Sequence, residues 1–220
     1  MPSVVADMDE AGNPSPPQKD ACFIPNAQGR LQAAAPPAGC VLRLQAAPGV
    51  ELRLLATADA PALYALVDAN RAHLARWLPW AAGETLADAE AFVHDGIRRF
   101  YAGDGFELAI EHEGRLVGVI GLHAIHPVNR RTSIGYWLAE GAQGKGIARA
   151  AVRALVAHCF DDLKLHRVDI RVAPENARSL AVPRALGFRE EGTLRGYERM
   201  GDGWLDLTVF SMLEDEWRAR

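Results

Sequence analysis

Seven consecutive residues, Gln143-Gly144-Lys145-Gly146-Ile147-Ala148-Arg149, combine two glycines with two cations a few positions after an apolar run, Ile134-Gly135-Tyr136-Trp137-Leu138. The apolar run is rich in β-branched and aromatic residues and reads as a buried strand. From Ile147 to Phe160 the chain reads as a helix. Ile147, Ala151, Ala154, Leu155 and His158 recur at helical spacing, while Arg149 and Arg153 lie one turn apart on another face. A strand that ends in a glycine turn and feeds a helix leaves backbone N–H groups unpaired at the helix start. With the positive end of the helix dipole, those donors form a site for an anion, most often a phosphate. Lys145 and Arg149 add full positive charges beside it.

Two familiar phosphate loops do not fit. The Walker pattern needs Ser or Thr two places after its last glycine, directly behind the lysine, whereas here Lys145 is followed by Gly146 and Ile147. The dinucleotide pattern would begin at Gly144 and Gly146, but its third glycine position is Arg149. A turn that only joins strand to helix is the plain alternative.

Three other places carry polar or aromatic residues in suggestive patterns. Asn176 and Ser179 stand at i, i+3, which reads as a helix N-cap and a polar first-turn residue. Pro183 inside that helix should break or kink it, at about 3 kcal/mol in an ordinary helix. Trp77-Leu78-Pro79-Trp80 presents a large aromatic surface near a helix end. Core packing is the default for each tryptophan, and the wall of a substrate groove is the second reading. His123 and His126 diverge across a strand end, so no metal site is read there.

The elements that must position these residues follow from periodicity. Residues 1–38 are rich in proline and alanine without sustained period and read as a disordered extension, with 39–220 as one folded domain. Val41–Leu44 and Glu51–Leu55 form a hairpin around Pro48-Gly49. Ala60–Asn70 is a helix, followed by Thr85–Phe100, with Thr85 or Asp88 as cap and Ala91, Phe92, Ile97 and Phe100 inward. Strands follow at Phe106–Glu111, Leu116–Leu122, Ile134–Leu138, Val168–Val172, Glu190–Glu198 and Trp204–Leu213. Leu186-Gly187-Phe188 stops the helix that begins near Asn176. The order predicts an α+β domain, a mixed, mostly antiparallel sheet with helices on both faces.

Composition narrows the function. A formal charge of −4 gives no electrostatic case for nucleic acid. The cysteines (Cys22, Cys40 and Cys159) are odd in number and widely spaced, which suggests reduced thiols in a cytoplasmic protein. Asp7, Asp9 and Glu10 stand where a secretory signal would be basic, and no run reaches membrane-spanning length. A soluble cytoplasmic protein is expected.

Taken in order, Asn70-Arg71, Trp77-Leu78-Pro79-Trp80, Gly135-Tyr136-Trp137-Leu138, Gln143-x-x-Gly146-x-Ala148, Asn176-x-x-Ser179, Leu186-Gly187-Phe188-x-x-Glu191-Gly192 and Asp206 resemble the GNAT N-acetyltransferases, and within them the RimJ/RimL branch. The resemblance runs from about Val41 to Trp217. It implies a V-shaped split between the strand around Gly135–Leu138 and that at Val168–Val172, opened by a β-bulge in the former. It implies acetyl-CoA, or another acyl-CoA, as co-substrate and no metal. The pantetheine arm would lie in the split near Tyr136, Trp137 and Leu138, with Asn176 along it, and the diphosphate would sit on Gln143–Arg149.

By the same resemblance Ser179 is the general acid or hydrogen-bond donor to the sulfur, and Glu198 is the general base for an amine that attacks the thioester directly. Trp77, Trp80 and Tyr136 would line the acceptor groove. The acceptor implied is a protein N-terminus, with an antibiotic or a polyamine also open, and a homodimer is compatible with the pattern. A non-catalytic acyl-CoA sensor is the alternative from another class.

Overall fold

The computed structural model describes residues 23–25, 31–33 and 42–220. Of the extension expected over residues 1–38, only β1 (Phe23–Pro25) and β2 (Leu31–Ala33) fall among the described residues, and they pair antiparallel. The rest of that expectation, with Cys22 and Cys40, lies outside them.

The domain opens with the expected hairpin, β3 (Arg43–Ala47) and β4 (Val50–Leu54), turning at Gly49 with φ +73°. Helices α1 (Ala60–Ala69), α2 (Arg71–Leu74) and α3 (Leu86–Ala102) follow. Thr85 and Asp88 share the cap of α3: Asp88 N–H donates to Thr85 Oγ1 at 3.2 Å, and Thr85 N–H donates back to the Asp88 carboxylate at 3.0 Å. The buried stripe of α3 is Ala89, Val93, Gly96 and Phe100, with Phe92 and Ile97 at its margins. Ala91, expected inward, is exposed, because that stripe follows the i, i+4, i+7 and i+11 positions and Ala91 falls off it.

Next come β5 (Phe106–His112), β6 (Arg115–His126), β7 (Arg131–Leu138), α4 (Ile147–Asp161), β8 (Arg167–Val172) and α5 (Ala177–Ala185). The hairpin β9 (Arg189–Met200) and β10 (Gly203–Leu213) and the short α6 (Glu214–Arg218) complete the chain. The sheet has eight strands in the order β3-β4-β5-β6-β7-β8-β10-β9. Every neighbouring pair is antiparallel except β7–β8, which is parallel and bridged by the crossover helix α4.

Strand alternation assigns the two faces. Phe106, Leu108, Ile110, Ile120, Leu122 and Ile134 pack with Leu155, Val156 and Phe160 of α4. Ala109 and Val119 point the other way, into a smaller cluster with Leu55, Leu63 of α1 and Val93 of α3.

The parallel ladder is short. It runs from Arg131↔Arg167 to Ile134↔Ile170 and stops, although β7 continues to Leu138 and β8 to Val172. The expected split is therefore present. The β-bulge expected to open it at Gly135–Leu138 is not, because the β6–β7 register is unbroken from Gly118↔Leu138 to His123↔Ser133. The irregularity falls between His123 and His126, where Ala124 has φ +49°. Divergence of β7 from β8, with β8 held on its other side by β10, opens the sheet.

Candidate functional site

The loop at the end of β7 takes the form that glycine permits. Gly144 (φ +74°) and Gly146 (φ +77°) are both left-handed, and a Cβ at either would meet nothing within 4 Å. Their role is thus backbone conformation and not close packing. Gly146 is the N-cap of α4, and no side chain caps that helix. The first amides of α4 lack the usual side-chain acceptor and border a cleft of about 1050 Å3. A helix start left in this state suits an anion, and Arg149 supplies a charge at the cleft wall.

The same cleft takes Tyr136, Trp137 and Leu138 from β7, then Gln143, Gly144, Gly146, Ile147, Ala148 and Arg149 from the loop and α4, and Asn176 and Ser179 from α5. Lys145 is the one loop residue of that run not on its wall. Gln143 ties the loop across the cleft: its Oε1 accepts from Arg178 at 2.6 Å, and its Nε2 donates to His73 Nε2 at 2.8 Å. Because Arg178 fixes the amide's orientation, His73 presents an unprotonated Nε2. Asn70 Oδ1 accepts from Glu140 N–H at 2.9 Å, anchoring the turn before the loop. His73, Arg76 and Arg178 line this cleft and carry no spacing signal that sequence reasoning could use, since they come from α2, the segment after it and α5.

α5 starts as its sequence suggests, with Asn176 Oδ1 accepting from Ser179 N–H at 3.1 Å. Pro183 does not break it. Lacking an N–H, the proline leaves the carbonyl of Ser179 without its ladder donor, and the Tyr136 hydroxyl donates to that oxygen at 3.0 Å. Burial pushes the Tyr136 phenol well above its usual range, so it stays neutral and donates. Tyr136 thereby joins β7 to α5 across the split.

A second cavity, about 330 Å3, adjoins the first through Leu78, Tyr136 and Trp137. Its walls are Leu63, Trp80, Phe92, Val119 and Trp137, and Glu84, Asp88, Glu107 and His123 supply its polar groups. Trp80 lies 6.2 Å from Trp137, ring centre to ring centre, tilted by 60°. Of the two tryptophans expected in one groove, only Trp80 lines this cavity; Trp77 lines the larger cleft. Trp80 lies within the 3-10 turn Pro79–Ala82 and Trp77 just before it, so the two rings go to different places.

Glu198 lies exposed on the edge strand β9, opposite Leu205, and lines neither cavity. The structure does not bring it beside Ser179. Among the described residues no three His, Cys, Asp or Glu side chains converge as metal ligands, and no helix is long and apolar enough to cross a membrane.

Residues 50–189 match the family described as the Acetyltransferase (GNAT) domain. The chain belongs to the GNAT acetyltransferases. It is 38% identical to the Bacillus subtilis protein YdaF over 172 residues, 77% of this chain and 94% of that one. It is 30% identical to the ribosomal-protein-serine acetyltransferase of Escherichia coli K12 over 173 residues, 78% of this chain and 97% of that one. The solved structure of RimL, a ribosomal L7/L12 α-N-protein acetyltransferase, in complex with coenzyme A superposes with a TM-score of 0.76 at 28% identity, covering 80% of this chain and 99% of that one.

As a GNAT enzyme this chain is an acyl-CoA-dependent N-acetyltransferase. Its own geometry fits the co-substrate: uncapped amides and cations at one end of the larger cleft, and an unzipped pair of strands at the other. The thioester supplies an activated acyl group, and a thiolate is a fair leaving group. Chemistry then depends on positioning and on two proton movements, one from the ammonium and one to the sulfur.

Proposed function

We propose that this GNAT enzyme acetylates the α-amine of a protein N-terminus by direct attack on acetyl-CoA. The observation that carries this reading is the junction of the two cavities at Tyr136–Trp137, where β7 leaves β8. A pantetheine arm laid along the unpaired edge of β7 would end there, and an amine entering through the smaller cavity would reach its thioester. The apolar walls and acidic groups of that cavity suit an ammonium carried on a short, partly apolar segment. The named ribosomal-protein substrates of the E. coli relative and of RimL support a peptide acceptor.

Within this reading the Gln143–Arg149 segment holds the diphosphate, with Lys145 contributing charge from outside the wall. Asn176 fixes the start of α5 beside the arm, and the Ser179 hydroxyl donates to the departing sulfur. The backbone N–H groups of the unpaired β7 edge, near Trp137, polarise the thioester carbonyl. Glu198 has no comparable geometric support within one chain. A cytoplasmic location is part of the proposal, supported by the free, buried thiol of Cys159 and by the acyl-CoA co-substrate.

The test is thiol release from acetyl-CoA and succinyl-CoA with peptides of varied N-terminal residue, alongside spermidine and aminoglycosides. The α-amine is then located by mass spectrometry. Turnover of small amines alone would sink the peptide assignment, and coenzyme binding without turnover of anything would favour a sensor.

A further inference from the structure

The smaller cavity holds a buried carboxylate that nothing in the coenzyme cleft requires. Glu107 of β5, Gly121 of β6 and Gly135 of β7 are cross-strand neighbours on one face of the sheet. A Cβ on Gly121 would collide with Glu107 Oε2, and one on Gly135 would press on the His123 ring at 2.5 Å. The two glycines therefore form a trough in which the Glu107 carboxylate and the His123 imidazole lie flat on bare backbone. Glu107 is 4% exposed and lines the cavity.

We propose that Glu107, with His123 beside it, receives the acceptor's ammonium and takes its proton. This rests on the acetyltransferase reading above but not on the peptide assignment. The groups facing Glu107 come from two elements, α3 and β6. Arg99 of α3 donates to Oε1 at 2.8 Å, His123 Nε2 of β6 stands 3.6 Å from the same oxygen, and Asp95 of α3 adds negative charge. Glu84 and Asp88 line the same cavity. Burial pushes the Glu107 carboxyl up to about 7, with Arg99 opposing and Asp95 adding to the shift. Partial desolvation lowers His123, whose side chain is half exposed, and the charges of Arg99 and Arg171 lower it further, which favours the neutral ring that a relay needs. A base titrating near the working pH is the favourable case for proton abstraction.

The step balances. Of the three ammonium hydrogens, one passes to Glu107, directly or through His123, and then to solvent. The freed lone pair forms the C–N bond to the thioester carbon. As the C–S bond breaks, a second hydrogen leaves nitrogen while the sulfur gains one through the Ser179 hydroxyl. The third stays on the amide.

The experiment is the pH dependence of kcat/KM for whichever amine turns over, peptide or small molecule, so that loss of the peptide assignment leaves it intact. Wild type should lose activity below about pH 7. Glu107→Gln, which keeps the size and an acceptor for Arg99, should cost about a hundredfold in kcat/KM. Its acid limb should vanish while coenzyme affinity is unchanged. Glu107→Asp should recover part of the rate and restore the limb, which a merely structural ion pair would not do. An acid limb that survives in Glu107→Gln but disappears in Glu198→Gln overturns the proposal. Should Glu107→Gln fail to fold, or no amine turn over, carbon NMR of the Glu107 carboxyl in the coenzyme complex decides. Adding an amine must lower its titration midpoint, and an unmoved midpoint overturns the proposal.

Discussion

Ile134 and Ile170 are the last matched pair between β7 and β8; from Gly135 onward β7 has a partner in β6 alone. A ligand lying in that gap replaces backbone bonds that the fold omits. Coenzyme A should therefore slow amide exchange at Gly135–Leu138 and Arg171–Val172. It should also stabilise the protein by about 2.7 kcal/mol at a hundred times its Kd. Exchange mass spectrometry and thermal unfolding test this; protection confined to other strands would contradict the placement of the arm.

Gly146 holds φ +77° at the start of α4. A β-branched residue there is strained by about 1–2 kcal/mol, and the strain falls on the loop assigned to the diphosphate. Gly146→Val should weaken coenzyme binding about tenfold or more by calorimetry. Gly141→Ala, at a position with ordinary φ and open space, should leave it unchanged.

Trp80 meets Trp137 at the wall of the smaller cavity. Trp80→Ala removes an aromatic contact worth about 0.5–1.5 kcal/mol. The acceptor's KM should rise about tenfold while that for acetyl-CoA stays put. Steady-state kinetics with each substrate varied in turn separates the two.

Glu191 accepts both guanidinium nitrogens of Arg167, at 2.6 and 2.7 Å, and the Ser211 hydroxyl at 2.7 Å. The Arg167 bonds, then the Ser211 bond, pull its carboxyl down from 4.5 to about 2. A depressed carboxyl stabilises the fold fully above its unfolded value and loses that contribution as pH falls through the folded one. Glu191→Gln should thus cost about 1 kcal/mol near neutrality, the pair being partly exposed and screened. The difference from wild type should shrink between about pH 4.5 and 2 in denaturant titrations.

Much of this could be read along the chain because the signals are local. Gly144 and Gly146 announce the loop, Thr85 and Asp88 the cap of α3, and Asn176 the cap of α5. What escaped is set by distance in space. Glu107 reads as an ordinary strand residue until Gly121 and Gly135 are seen beneath it and beside it. His73 and Arg178 acquire a role only because Gln143 spans the gap between them. Pro183 looked disruptive because its missing donor is visible in sequence, while the phenol of Tyr136 that serves the orphaned carbonyl is 43 residues away. Glu198 shows the converse: a resemblance names the residue, while its position on the exposed edge strand β9, outside both cavities, is visible only in the fold.

The outer strand β9 has every residue but Met200 well exposed, and its hairpin leaves Leu194, Tyr197 and Trp204 in water. Such an edge would ordinarily invite stacking by another chain. Here register shifts at Leu205/Leu207 and Val209/Phe210, the left-handed Gly192 and Gly196, and three arginines interleaved with three glutamates make it a poor template. Straightening the hairpin to raise stability should therefore expose a regular edge on which a second chain could pair.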